Sequence, residues 1–137
     1  TWAGAVALPQ RHRLRGQRPF DRLYRQGRRL QGQLMVLRLL QAQADLLPPS
    51  DRHHSPSPWR CAVVVSSKVS KRSVRRNRLR RLLHAHLLRE APSGPHPLWL
   101  LLSLKPEAGA TAEPLLLEEC THLLRKAGLL NDPGSPP

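Results

Sequence analysis

Residues 71–81 read Lys-Arg-Ser-Val-Arg-Arg-Asn-Arg-Leu-Arg-Arg, seven basic side chains with no acidic one. Packed on one folded surface, such charges repel each other unless counterions screen them or a polyanion neutralises them. The residues next in the chain favour the polyanion. Leu79, Leu82, Leu83, His86 and Leu87 fall at i, i+3, i+4, i+7 and i+8, the apolar stripe of an amphipathic helix. Asn77, Arg80, Arg81 and His84 share that spacing on the other arc, and Arg76 sits where the two arcs meet. The spacing predicts a helix from about Ser73 to Arg89, with one face anchored in a core and the other basic. Pro92, Gly94, Pro95 and Pro97 end it.

The flanks supply the rest of a fold. Trp59 to Ser66 (WRCAVVVS) is apolar and β-branched, a strand signal, and Leu34 to Gln41 reads as another. These two are expected to pair as a hairpin across an enlarged loop, residues 44–58, whose four prolines argue against any regular element. Leu98 to Leu104 (LWLLLSL) is a continuous apolar run of strand length, which suits a strand covered on both faces and parallel to a neighbour. Upstream, Phe20, Leu23 and Tyr24 mark a short basic helix that Gly27 stops. Downstream, Leu116, Leu117, Cys120, Leu123, Leu124 and Ala127 mark a second amphipathic helix, with Pro114 near its start and Gly128 near its end. The order is α-β-β-α-β-α. Residues 1–9 are expected to be a disordered leader and 131–137 a disordered tail, around a single domain spanning 10–130 in which 44–58 is flexible.

The charge is concentrated. Of the formal +14, residues 1–89 hold 20 Lys/Arg against 3 Asp/Glu, and residues 90–137 hold 3 against 6. Only four of the 23 basic residues are lysine; arginine presents a planar fork to phosphate and stacks on bases. Binding of an anionic partner therefore belongs to the first two thirds of the chain. A membrane surface is disfavoured, because residues 74–90 contain no aromatic for the apolar face, and no apolar run reaches the length of a membrane span. Cys61 and Cys120 lack metal-ligand spacing and sit in apolar stretches, so buried thiols are expected, in a reducing compartment.

The string Arg76-Asn77-Arg78-Leu79-Arg80-Arg81 opens the basic helix after Val-x-Ser-x-Lys leaves a strand. It resembles the signature of the bacterial ribonuclease P protein subunit family. The flanks agree in order: Arg13-Leu14, Phe20, Tyr24 and Gly27 are similar to that family's N-terminal helix segment, Ser66 to Lys71 to its strand-to-helix turn, Leu98 to Pro106 to its last strand, and Leu116 to Lys126 to its last helix. The resemblance covers roughly residues 10–130. It implies an α/β (α+β) two-layer sandwich, a four-stranded sheet with three helices and one extra short strand, related to domain 2 of ribosomal protein S5. It further implies a subunit of a tRNA-maturing endonuclease with no catalytic residue of its own. The RNA subunit performs the hydrolysis, with Mg2+ required by the RNA-containing holoenzyme. The implied partners are the catalytic RNA and precursor tRNA, with the protein a cytoplasmic monomer in a 1:1 complex, without DNA or membrane.

Residue by residue, the resemblance places Arg76, Asn77, Arg78, Arg80 and Arg81, with Lys71 and Arg72, against the RNA subunit. It places Phe20, Arg13, Arg38 and Lys68 at a cleft for the 5′ leader. The family often carries an aromatic where Arg38 stands, so a base stack there becomes a guanidinium contact. It commonly has Arg-Glu where this chain has His84-Ala85, and an Arg where Leu104 stands. Plainer readings stand beside these. Phe20 with Leu23 and Tyr24 can be core, Asn77 can be a helix-terminal hydrogen bonder, and Glu118-Glu119 read as solvated surface. His84 and His86 face different ways on a helix, and His53-His54 have only Asp51 near, which disfavours a metal site. A ribosomal or general RNA-binding protein without a role in cleavage is the alternative. A DNA-binding module is disfavoured because no second short helix precedes the basic one at helix-turn-helix spacing.

Overall fold

An apolar strand with no polar face needs cover on both sides, and this requirement organises the chain. The computed structural model describes residues 8–52 and 57–130. Its strands are β1 (Arg28–Gln31), β2 (Met35–Gln41), β3 (Trp59–Val64) and β4 (Leu98–Leu104). Its helices are α1 (Gln17–Gln26), a four-residue α2 (Pro49–Arg52), α3 (Ser73–Glu90) and α4 (Glu113–Lys126), with 3-10 turns at Gln10–His12, Ala44–Leu46 and Pro106–Ala110. The sheet order is β1-β2-β4-β3. β4 lies between β2, to which it is antiparallel (Leu37 opposite Leu102), and β3, to which it is parallel (Cys61 opposite Leu100).

The expected pairing of β2 with β3 does not occur, because β4 separates them. The physical reason is the LWLLLSL run, every residue of which is buried except the partly buried Ser103. Only a central strand removes both faces and both edges from water. β3 and β4 are parallel, so the connection between them must cross over, and α3 is that crossover. The extra short strand is β1, a sheet edge formed by Arg-Arg-Leu-Gln with only Leu30 buried.

Alternation along β4 divides the interior into two cores. Leu98, Leu100, Leu102 and Leu104 join Met35, Leu37, Cys61 and Val63 beneath α3 (Leu79, Leu83, Leu87) and α4 (Leu116, Cys120, Leu123, Leu124). Trp99 and Leu101 face the opposite side and pack with Leu14, Leu23 of α1, Leu46 and Leu47, with Phe20, Ala62 and Val64 against them. Cys61 and Cys120 are free buried thiols whose ionisation burial pushes up.

Three further sequence expectations do not hold. Leu8, assigned to the leader, is 2% exposed and belongs to the larger core; residues 1–7 and 131–137 lie outside the described residues. The 44–58 segment is no open loop where it is described. It carries a 3-10 turn and α2, and it buries Leu46, Leu47 and Asp51. The prolines flank these short elements, and Pro49 opens α2, where its missing N–H costs nothing. Glu119 is not simply solvated: its carboxylate accepts the backbone N–H groups of Gln33 (2.9 Å) and Leu34 (2.8 Å), fixing the β1–β2 turn.

The N-terminal segment is held by a buried arginine. Arg13 bridges to Cys61 at the free edge of β3, and Leu14 N–H donates to the Cys61 carbonyl (2.9 Å). Arg60, 5% exposed, donates to the carbonyls of Gln10 (3.1 Å) and Arg13 (2.8 Å). Asp51 receives Arg15 (3.2 Å) and Gln10 (3.3 Å). Burial opposes its charge, but those bonds and the Arg15 and Arg60 charges outweigh the opposition and hold its carboxyl below the usual range. His12 stacks on Trp59 with ring centroids 3.9 Å apart. Arg60→Met keeps the apolar stem and removes the fork. Orphaned acceptors of this kind are expected to lower the unfolding free energy by about 1–3 kcal/mol, read from urea denaturation; an unchanged midpoint would show that Arg60 is dispensable as a brace.

Candidate nucleic-acid interface

α3 meets the protein along Leu79, Leu83, His86 and Leu87, all buried, with Leu82 partly so. The anchor fixes where the opposite arc points. Asn77, Arg80, Arg81 and His84 line one wall of an open cleft of about 320 Å³. Leu8, Arg13, Leu14 and Arg15 with Cys61, Ala62 and Val63 of β3 form the other wall. Arg13 donates from Nε to the Leu8 carbonyl (2.6 Å). The structure therefore gathers Arg13 with the basic arc of α3, and this cleft does not include Phe20.

The remaining predicted residues fall into four settings. Arg76 is half-buried and donates to the Ser70 carbonyl (2.9 Å), tying the helix to the turn before it. Lys68, Lys71 and Arg72 are exposed on that turn. Arg78 is engaged elsewhere: its Nε and Nη2 donate to the two oxygens of Glu113 at 2.9 Å each, and Arg75 joins at 3.0 Å. Glu113 comes from α4, 35 residues away from Arg78, so no i, i+4 inspection of α3 could find it.

On the other face of the sheet, Phe20 is half-buried against the Trp99–Leu101 core. Tyr24, one turn further along α1, is 51% exposed. The Arg38 guanidinium lies 4.5 Å from its ring centroid, a cation–π contact. Arg38 stands opposite Arg29 in the β1–β2 register. Phe20, Tyr24 and Arg38 thus belong to the α1 side of the sheet. The sequence gives no sign of the Tyr24 partnership, since it depends on how α1 lies across β2.

Among the described residues no three His, Cys, Asp or Glu side chains converge as a metal site, and His53-His54 lie outside them. Nor is any helix among them long and apolar enough to cross a membrane. His86 is a structural group, with Nε2 2.7 Å from Thr121 Oγ1 between α3 and α4.

His84 is the titratable group of the cleft. Burial first, then the Arg80 and Arg13 charges, push it down from its ordinary value to about 4. It is neutral at pH 7. Burial is also the first cause lowering His12 and His86. As pH falls through the ordinary histidine value, the unfolded chain takes up protons that the folded chain refuses. Stability is complete above about pH 6.5 and is lost as pH falls toward 4. His84→Gln is expected to flatten this acid limb, read as the urea midpoint against pH; an unchanged slope would contradict a desolvated, neutral His84.

Residues 8–128 match the family described as Ribonuclease P. The chain is 52% identical over 128 residues to the ribonuclease P protein component of Prochlorococcus marinus (strain MIT 9313), a match covering 92% of this chain and 100% of the relative. It is 53% identical over 126 residues to that of Parasynechococcus marenigrum (strain WH8102), covering 90% and 98%. Among solved structures, the Staphylococcus aureus RNase P protein superposes with a TM-score of 0.71 at 17% identity, covering 88% of this chain and 98% of that one. The Thermotoga maritima RNase P protein gives 0.65 at 19%, covering 83% and 96%. At such identities the structures speak for the fold, and it is the sequence matches that carry the kinship. The chain belongs to the ribonuclease P protein family, the protein subunits of the holoenzyme that matures tRNA 5′ ends.

Proposed function

We propose that α3 binds the catalytic RNA through Asn77, Arg80 and Arg81, with Arg76 and the Lys71–Arg72 turn beside them, while the α1 side of the sheet takes the 5′ leader of precursor tRNA. The observation that carries this reading is the cleft arc of α3. Four arginines and the Asn77 amide line one groove; Arg15 is paired with Asp51, while no salt bridge among the described residues engages Arg13, Arg80 or Arg81. Guanidinium forks suit phosphate oxygens, and an amide both donates and accepts. The leucine face keeps this charge from splaying apart.

The hydrolysis would fall to the RNA, which would hold the Mg2+ needed for it. The protein's contribution is charge and placement. Arginines set between two polyanions offset their repulsion and reduce the magnesium needed to bring them together. On the α1 side, Phe20, Tyr24 and the Arg38 guanidinium offer planar groups for unpaired leader bases; stacking of this kind is tolerant of sequence. Lys68 is exposed on the turn between β3 and α3, open to phosphate. The protein acts as one copy per RNA, in the cytoplasm.

Two measurements test the reading. Arg80→Ala with Arg81→Ala should weaken binding to the catalytic RNA and flatten its dependence on log salt by about 0.7–0.9 for each phosphate no longer neutralised; affinity and slope both unchanged would remove α3 from the interface. Cleavage of a 5′-leader precursor tRNA at low magnesium should be stimulated by the chain, and less so when the leader is cut to one or two nucleotides. Binding without stimulation would leave a general RNA-binding protein.

A further inference from the structure

Arg75 and Arg78 are the only arginines of α3 that ion pairs with a carboxylate engage among the described residues, and they share one partner. Arg78 meets Glu113 as a forked pair, both bonds 2.9 Å, and Arg75 adds a third at 3.0 Å. The Arg78 hydrogen bond, against the opposing effect of burial, holds the Glu113 carboxyl below the usual range, so it is ionised at neutral pH. The Arg78 side chain is 61% exposed, and an ion pair so open to water contributes little to stability. Its consequence lies at the surface. The fork that fits a carboxylate is the fork that fits a phosphate, so Glu113 occupies the position an RNA phosphate would take.

The surroundings show what this prevents. Lys71, Arg72, Ser73, Val74, Arg75 and Arg78 line one open hollow at the start of α3. Without Glu113, Arg75 and Arg78 would add two uncompensated cations to Lys71 and Arg72 beside the 81% exposed Val74, extending that turn into a surface able to hold RNA backbone without selectivity. We propose that Glu113 is a specificity-determining residue, an internal phosphate surrogate that masks the Arg75–Arg78 side of α3 and leaves RNA the Asn77–Arg80–Arg81 side. The proposal rests on the RNA-binding reading of α3, and it makes Arg78 a residue neutralised within the protein before RNA arrives.

The test is Glu113→Gln, which keeps shape and acceptor while removing charge. Binding to polyuridine and to the catalytic RNA is measured across a salt series, alongside the thermal midpoint. The mask predicts polyuridine affinity higher by about two- to fivefold, the range an exposed pair represents, and a salt slope steeper by about 0.7 per arginine released. Preference for the catalytic RNA over polyuridine should fall accordingly. Adding Arg78→Ala to Glu113→Gln should cancel much of the gain. Arg78→Ala alone, which does not depend on the Glu113 variant folding, should change polyuridine affinity by less than about twofold, the low end of the same range, while Arg80→Ala loses more. Unaltered polyuridine binding and slope in Glu113→Gln would overturn the mask, as would weaker binding to both RNAs at an unchanged midpoint. A wild-type chain that binds neither RNA would instead sink the reading of α3 itself.

Discussion

A seven-residue strand without a polar face sets the terms for this molecule. Leu98–Leu104 is driven out of water on both sides and takes an inner place in the sheet. From that position follow a parallel neighbour, a helix that must cross between them, and covering elements on both faces. Burial of large apolar side chains at about 1.5–3 kcal/mol each makes this arrangement hard to exchange for another. The consequence for function is separation. α3 and its basic cleft lie at the β3 edge, and Phe20, Tyr24 and Arg38 lie across the sheet on the α1 side. One strand thus divides the protein into two surfaces, the one proposed for the catalytic RNA and the one proposed for the leader.

Charge is handled by three different means. Arg60 is buried and gives its fork to main-chain carbonyls, fixing the segment that carries Arg13. Arg75 and Arg78 are balanced by Glu113. Arg80 and Arg81 have no carboxylate bonded to them among the described residues and face the cleft beside a neutral His84. A charge total of +14 says nothing of this division. In the proposed reading the protein acts through the cations left open, and the fold decides which ones those are.

Much of this was legible. The stripe Leu79–Leu87 placed α3 and gave its extent within one residue at its end, and LWLLLSL gave β4 to the residue, because both patterns are strong and local. The Arg-Asn-Arg string led to the family. The features that escaped depended on distant partners. β2 and β3 look like a hairpin until β4 intervenes; β1 is two arginines and a glutamine around one leucine, a weak strand signal that the register with β2 rescues. Proline content hid the burial of Leu46, Leu47 and Asp51. Arg78 looks like its neighbours in sequence, and only the approach of α4 brings Glu113 to it. The resemblance grouped Arg13 with Phe20, whereas its bridge to Cys61 sets it beside the basic arc of α3.

The most direct test of the central claim is to ask which face of the protein touches the catalytic RNA. The two native thiols are buried, so an iron chelate can be tethered at one introduced cysteine, Asn77→Cys on the cleft arc of α3 or His122→Cys on the exposed side of α4, and hydroxyl-radical cuts mapped on the bound RNA. The account predicts localised cuts from position 77 and none above background from position 122. Equal cutting from both, or cuts from 122 alone, would contradict an RNA interface built on α3.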